Sequence, residues 1–85
     1  MNRYEFMATA LCPARGEFIR DFYQCQFSTE DTIPISEIAE ICEEFINEKL
    51  FQEKFTKDLA DRLPRGRLIV TGSHFGTGLV ITSEK

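Results

Sequence analysis

The chain has no tryptophan, a single histidine and only three cysteines in 85 residues. One histidine excludes a metal centre built from several imidazoles, and an odd cysteine set without framework spacing excludes a disulfide scaffold. Positive charge is short as well: ten Lys and Arg stand against fourteen Asp and Glu, a net charge of −4. The basic residues are scattered, apart from Arg62-Leu63-Pro64-Arg65-Gly66-Arg67, so the footprint of a DNA-binding surface is missing. No apolar run approaches the length of a membrane span, and the N-terminus lacks a signal-peptide pattern. Neither DNA nor a membrane is therefore expected as a partner, and free thiols without a targeting segment point to the cytoplasm.

What is present is globular: 42% hydrophobic residues, with eight Phe and two Tyr. A chain this short buries roughly 60–65% of the surface its unfolded form exposes. One thin-cored domain over residues 1–85 is expected, and with disulfides and metal set aside, self-association is the remaining source of stability.

Hydrophobic spacing places the elements. Arg3 to Leu11 alternates, with Tyr4, Phe6, Ala8 and Ala10 on one face. Pro13 and Gly16 punctuate a turn, and Glu17 to Phe27 alternates again, with Ile19, Tyr23, Cys25 and Phe27 on one side, which predicts an antiparallel hairpin. Ser36 is the expected N-cap of a helix whose stripe is Ile38, Ile41, Cys42, Phe45 and Ile46. A second stripe, Phe51, Phe55, Leu59 and Leu63, is out of phase with the first, so a joint is expected near Asn47 to Lys49. Pro64 and Gly66 end the second helix. Arg67 to Thr71 and Leu79 to Thr82 are β-rich and joined through Gly72 to Gly78, a second hairpin with a glycine-rich loop.

The fold class is α+β, in the order ββααββ: a four-stranded antiparallel sheet with two helices on one face. The other face and both edges stay open, and copies joined side by side into a closed, cyclic homo-oligomer would cover the edges.

Several residues carry candidate chemistry. Cys12 stands where strand pairing stops and a turn begins, which implies a thiol exposed enough to react, with Arg15 near enough in sequence to favour a thiolate. The plainer account of Cys12 is a small turn residue beside proline. His74, in the glycine-rich loop, is a candidate general acid or base, or a solvated loop residue. Gly72, Gly76 and Gly78 either cradle a ligand or permit positive φ in a turn. Cys25 and Cys42 fall on apolar stripes and read as packing residues, and Glu37, Glu40, Glu43 and Glu44 as a solvated helix face.

The element order resembles the tunnelling fold (T-fold), whose members bind purines and pterins at subunit interfaces of oligomeric barrels. Within it, Ala10-Leu11-Cys12-Pro13-Ala14-Arg15-Gly16 resembles the cysteine turn of the 7-cyano-7-deazaguanine reductases, Ser-Leu-Cys-Pro-x-Thr-Gly. Phe51-Gln52-Glu53 with Asp58-Leu59 resembles their Phe-His-Glu segment and following helix, and Val70-Thr71-Gly72 through Gly78-Leu79-Val80-Ile81 their last hairpin. The resemblance implies Cys12 as the nucleophile that attacks a nitrile carbon to give a covalent thioimide. It implies Glu53 as the anchor of a guanine-like edge, flanked by Phe51 and Gln52. A soft thiolate suits a nitrile, and a carboxylate can accept two hydrogen bonds from an amino and a ring N–H.

Departures accompany the match. Gln52 stands in place of the family's histidine, and Ile19 stands where the family has its acid/base aspartate. Asp21, two residues on and on the same strand face, is the candidate replacement. The lysines of the family's nicotinamide-binding stretch are absent from Ser36 to Glu44, and the arginine of the last hairpin is gone. No cofactor is therefore assigned, and NADPH lacks its binding motif. The resemblance implies an enzyme that modifies the nitrile of a 7-deazaguanine, as a reductase or, without a nicotinamide site, by adding ammonia or another amine to give an amidine. The alternatives are a pterin enzyme of the dihydroneopterin aldolase type, with Glu53 holding the pterin, and a non-catalytic, degenerate T-fold that binds a ligand or joins an assembly. The zinc-dependent pterin synthases of this fold are excluded by the single histidine.

Overall fold

A computed structural model describes residues 1–13, 19–74 and 77–85, the side chains of 73, 74 and 77 excepted. Its elements run β1 (Asn2–Leu11), β2 (Arg20–Thr29), α1 (Ile35–Glu43), α2 (Gln52–Arg62), β3 (Arg67–His74) and β4 (Thr77–Glu84). The strands form one sheet in the order β1-β2-β3-β4, antiparallel throughout.

Alternation decides the faces. Ala8 and Ala10 of β1, Asp21, Tyr23, Cys25 and Phe27 of β2, and Leu68 and Val70 of β3 are buried, and the register stacks them in rows: Ala8 beside Tyr23, Tyr23 beside Gly72, Cys25 beside Val70. Ile38, Ile41 and Phe45 of the α1 region and Phe55, Leu59, Ala60 and Leu63 of the α2 region close the core over that face. Phe55 is its centre, stacked on Tyr23 at 4.6 Å and edge-on to Phe45 at 5.4 Å. A fully buried side chain of this size contributes roughly 1.5–3 kcal/mol. The opposite face keeps Met7, Phe22 and Val80 exposed, and β1 and β4 are the sheet's two edges.

The joint between the helices does more than connect them. Leu11 donates its N–H to Glu48 O at 2.9 Å, Leu50 donates to Leu11 O at 3.1 Å, and Lys49 forms a parallel bridge with Leu11. Arg20 clasps the same joint, its guanidinium donating to Ile46 O and, at 3.2 Å, to Asn47 Oδ1. The end of β1 and the start of α2 are thus tied to one another.

Several local expectations are corrected. The N-cap is Pro34 and not Ser36: the proline is pre-set at φ −60°, and its carbonyl accepts the N–H groups of Glu37 and Ile38 without a side-chain cap. Phe51 leaves the core stripe because α2 begins one residue later; it sits at the N-cap, 59% exposed, and Gln52 turns inward. Ile19 precedes β2 and is exposed. The glycine-rich connection is shorter than the seven residues expected, since β3 runs on to His74 and β4 begins at Thr77. Gly72 is a strand residue whose missing side chain admits its neighbours: a Cβ there would lie 2.5 Å from Gln52 Oε1 and 2.8 Å from the Tyr23 ring. Residues 14–18, including Arg15 and the expected start of the second strand, lie outside the described residues, as do Phe75 and Gly76.

Candidate functional site

Cys12 is the first residue beyond β1. Its N–H donates to Ile19 O at 2.8 Å, so the hairpin pairing continues one step past the strand. The side chain is buried, 4% exposed, which corrects the expectation of an accessible turn thiol. The extra rung and the joint at Glu48 to Leu50 close around the end of β1.

Asp21 pairs with Ala10 and is 5% exposed. Cys12 follows Ala10 by two residues, so Cys12 and Asp21 are diagonal neighbours on the helix-covered side, a spacing of roughly 7–8 Å between backbones that side chains can bridge. Asp21 therefore reaches the cysteine end of the sheet. Tyr23, two residues further along β2 on the same face, places its hydroxyl 3.5 Å from Asp21 Oδ2, and Thr9 Oγ1 donates to the Asp21 main-chain oxygen at 2.7 Å.

The electrostatics sort the titratable groups. Burial, then the Asp21 charge and hydrogen bond, then Cys12, hold the Tyr23 phenol far above its ordinary range. Burial, with Cys42 second, pushes the Cys25 thiol up to about 12, and burial raises Cys42. Cys25 and Cys42 are thereby kept protonated at neutral pH and act as packing residues, as their stripes imply.

At the head of α2 the predicted recognition residues divide. Gln52 is buried, and its Nε2 donates to Val70 O at 3.1 Å and Leu79 O at 3.0 Å, clipping the helix start to β3 and β4. Thr56 donates to Gln52 O at 2.8 Å and secures the same turn. Phe51 and Glu53 on either side are exposed. Glu53 lies three residues after Leu50, whose N–H is bonded to Leu11 O. His74 pairs with Thr77 at the end of β3, and its side chain lies outside the described residues.

The residue that sequence reasoning passed over is Tyr23, taken only as core. The signal was its hydroxyl: in a chain with eight Phe and two Tyr, a buried Tyr needs a polar partner. Among the described residues no group of three or more His, Cys, Asp or Glu converges to hold a metal, and no helix is long and apolar enough to cross a membrane.

No family model matches the sequence, and no curated protein matches it. A solved structure does: the archaeosine synthase QueF-Like in the apo form, with a TM-score of 0.82 and 14% identity, covering 99% of this chain and 91% of that chain. The chain has the tunnelling fold. The strand order and the pair of helices on one face agree with that architecture from end to end, and the sequence resemblance to the T-fold is supported by coordinates.

Proposed function

We propose that this T-fold chain modifies the nitrile of a 7-cyano-7-deazaguanine or a closely similar purine base. Cys12 is the nucleophile, Asp21 the proton carrier, and Glu53, beside Phe51, the anchor of the base. The observation that carries this reading is Asp21, a carboxylate on the buried side of the sheet one diagonal step from Cys12. The likeness to an archaeosine synthase over nearly the whole chain supports the deazaguanine class.

The thiol adds across the nitrile: sulfur bonds to carbon, the thiol proton passes to Asp21 and then to the nitrile nitrogen, and a thioimide results. Ammonia then displaces the sulfur, giving an amidine and returning the Cys12 thiol. Amidine formation is preferred to reduction because Ser36 to Glu44 contains no lysine to grip nicotinamide phosphates, and its Glu37, Glu40, Glu43 and Glu44 are exposed. Gln52 contributes by holding the head of α2, with Glu53 and Phe51, against the sheet.

The site is completed by a second copy. The exposed Met7, Phe22 and Val80 face and the two sheet edges support a closed homo-oligomer, in which Glu53 of one copy meets the Cys12 end of the next. The test is intact-mass spectrometry after incubation with 7-cyano-7-deazaguanine. The native chain is expected to gain the whole ligand mass, Cys12→Ala to gain nothing, and added ammonium to release an amidine product. No adduct on the native chain, or an equal one on Cys12→Ala, removes the nitrile chemistry.

A further inference from the structure

Tyr23 carries a hydroxyl that packing alone does not require. A phenylalanine would stack on Phe55 equally well, and Phe fills eight of the ten Phe and Tyr positions of the chain. The ring is fixed: Phe55 lies 4.6 Å away, and a Cβ on Gly72 would come within 2.8 Å of it. Ala8 and Gly72, its partners across the strands, are small enough to admit it. A ring so held directs its hydroxyl along β2 toward Asp21, with Oη and Oδ2 3.5 Å apart. That is longer than a settled O–H···O bond, and in ligand-free sites such bonds tighten when substrate binds. Burial keeps the phenol protonated, so it remains a donor through the neutral range. Among the described residues, the titratable groups acting on it are Asp21 and Cys25 from its own strand and Cys12 from the end of β1; α2 contributes Phe55 and the neutral Gln52.

We propose that Tyr23 is a positioning residue, whose hydroxyl holds one oxygen of Asp21 and so fixes the carboxylate that takes the thiol proton of Cys12. This rests on the thioimide reading. In the step concerned the S–C bond forms and one nitrile π bond breaks; the thiol proton moves to Asp21 and on to nitrogen, and nothing is oxidised or reduced.

The test is a double-mutant cycle of Tyr23→Phe and Asp21→Asn, with Cys12 modification by 7-cyano-7-deazaguanine and, separately, by iodoacetamide as readouts. Circular dichroism melts establish that each variant is folded. With both reagents Tyr23→Phe is expected to slow Cys12 modification about tenfold in the native background, the effect of losing one hydrogen bond to a charged group. In the Asp21→Asn background it is expected to have no further effect. A merely structural Tyr23 would slow both backgrounds equally, and that result, or no slowing in either, overturns the proposal. If the native chain forms no nitrile adduct, the proposed function fails, and the iodoacetamide cycle still decides whether Tyr23 acts through Asp21.

Discussion

Gly72→Ala tests how tightly the Cys12 end of the sheet is packed. The added Cβ would lie 2.5 Å from Gln52 Oε1 and 2.8 Å from two carbons of the Tyr23 ring, where carbon contacts settle near roughly 3.5–4.0 Å. A glutamine tip ordinarily swings aside cheaply. This one is pinned, because its Nε2 bonds two carbonyls of different strands and its main-chain oxygen accepts Thr56. The ring is backed by Phe55. Overpacking of this kind costs roughly 1–3 kcal/mol, and replacing glycine within a strand recovers roughly 0.5–1 kcal/mol. A net loss of about 1 kcal/mol corresponds to a fall in Tm of about 4–8 °C for a domain of this size. Urea and thermal unfolding by circular dichroism measure it, with Gly78→Ala, whose Cβ meets nothing within 4 Å, as the control. Gly72→Ala unfolding no earlier than Gly78→Ala would refute the close packing of Gln52 and Tyr23 on this strand.

Alkaline stability follows from Cys25. Its thiol stays protonated in the fold to about 12 against an ordinary 9.0, so above pH 9 the unfolded chain sheds a proton the folded chain keeps. Stability is then level below pH 9 and falls by about 1.4 kcal/mol per pH unit above it, roughly 3 kcal/mol by pH 11. Tyr23, raised in the same direction, steepens the fall once its ordinary 10.0 is passed. Urea midpoints from pH 8 to 11 should slope less in Cys25→Ala; parallel curves would refute the assignment. For the clasp at the joint, Arg20→Ala should speed amide exchange of Leu11 and Leu50 about fivefold relative to Val70, the loss of about 1 kcal/mol of local hydrogen bonding. Unchanged exchange ratios would mean that the backbone bonds hold the joint without Arg20.

The periodic parts of the fold were legible because burial writes them into the sequence. Tyr23, Cys25 and Phe27 declare the inward face of β2, and the phase slip at Asn47 to Lys49 declares the break between helices. What that break does was not legible: the bonds from Leu11 to Glu48 and Leu50 join residues distant in sequence, and no local spacing encodes them. The glycines misled because glycine marks both turns and close approaches, and only the register, with Tyr23 opposite Gly72, distinguishes them. Likewise the burial of Cys12 depends on the rung to Ile19 and on the joint. Asp21 was partly legible, since a charged residue in step with Tyr23, Cys25 and Phe27 occupies an inward register.

The four polar or charged residues buried among the described residues differ in what they do for the backbone. Thr29 donates to Arg65 O and accepts from Asp31 N–H, Gln52 donates to two strand carbonyls, and Thr56 donates to the preceding helical turn. Each satisfies main-chain groups that folding takes from water, so each is accounted for by the fold. A carboxylate is different in kind, because burying it costs far more than burying a hydroxyl or an amide, and an apolar residue beside Ala10 would pack without that cost. Asp21 has the Tyr23 hydroxyl beside it, and the proposed chemistry gives its carboxylate a use at the Cys12 end of the sheet. Tyr23 supplies the second polar group that packing alone does not require, and its hydroxyl adjoins the first. Two such departures side by side, at the point where β1, β2 and the head of α2 converge, point to one site more strongly than either residue does alone.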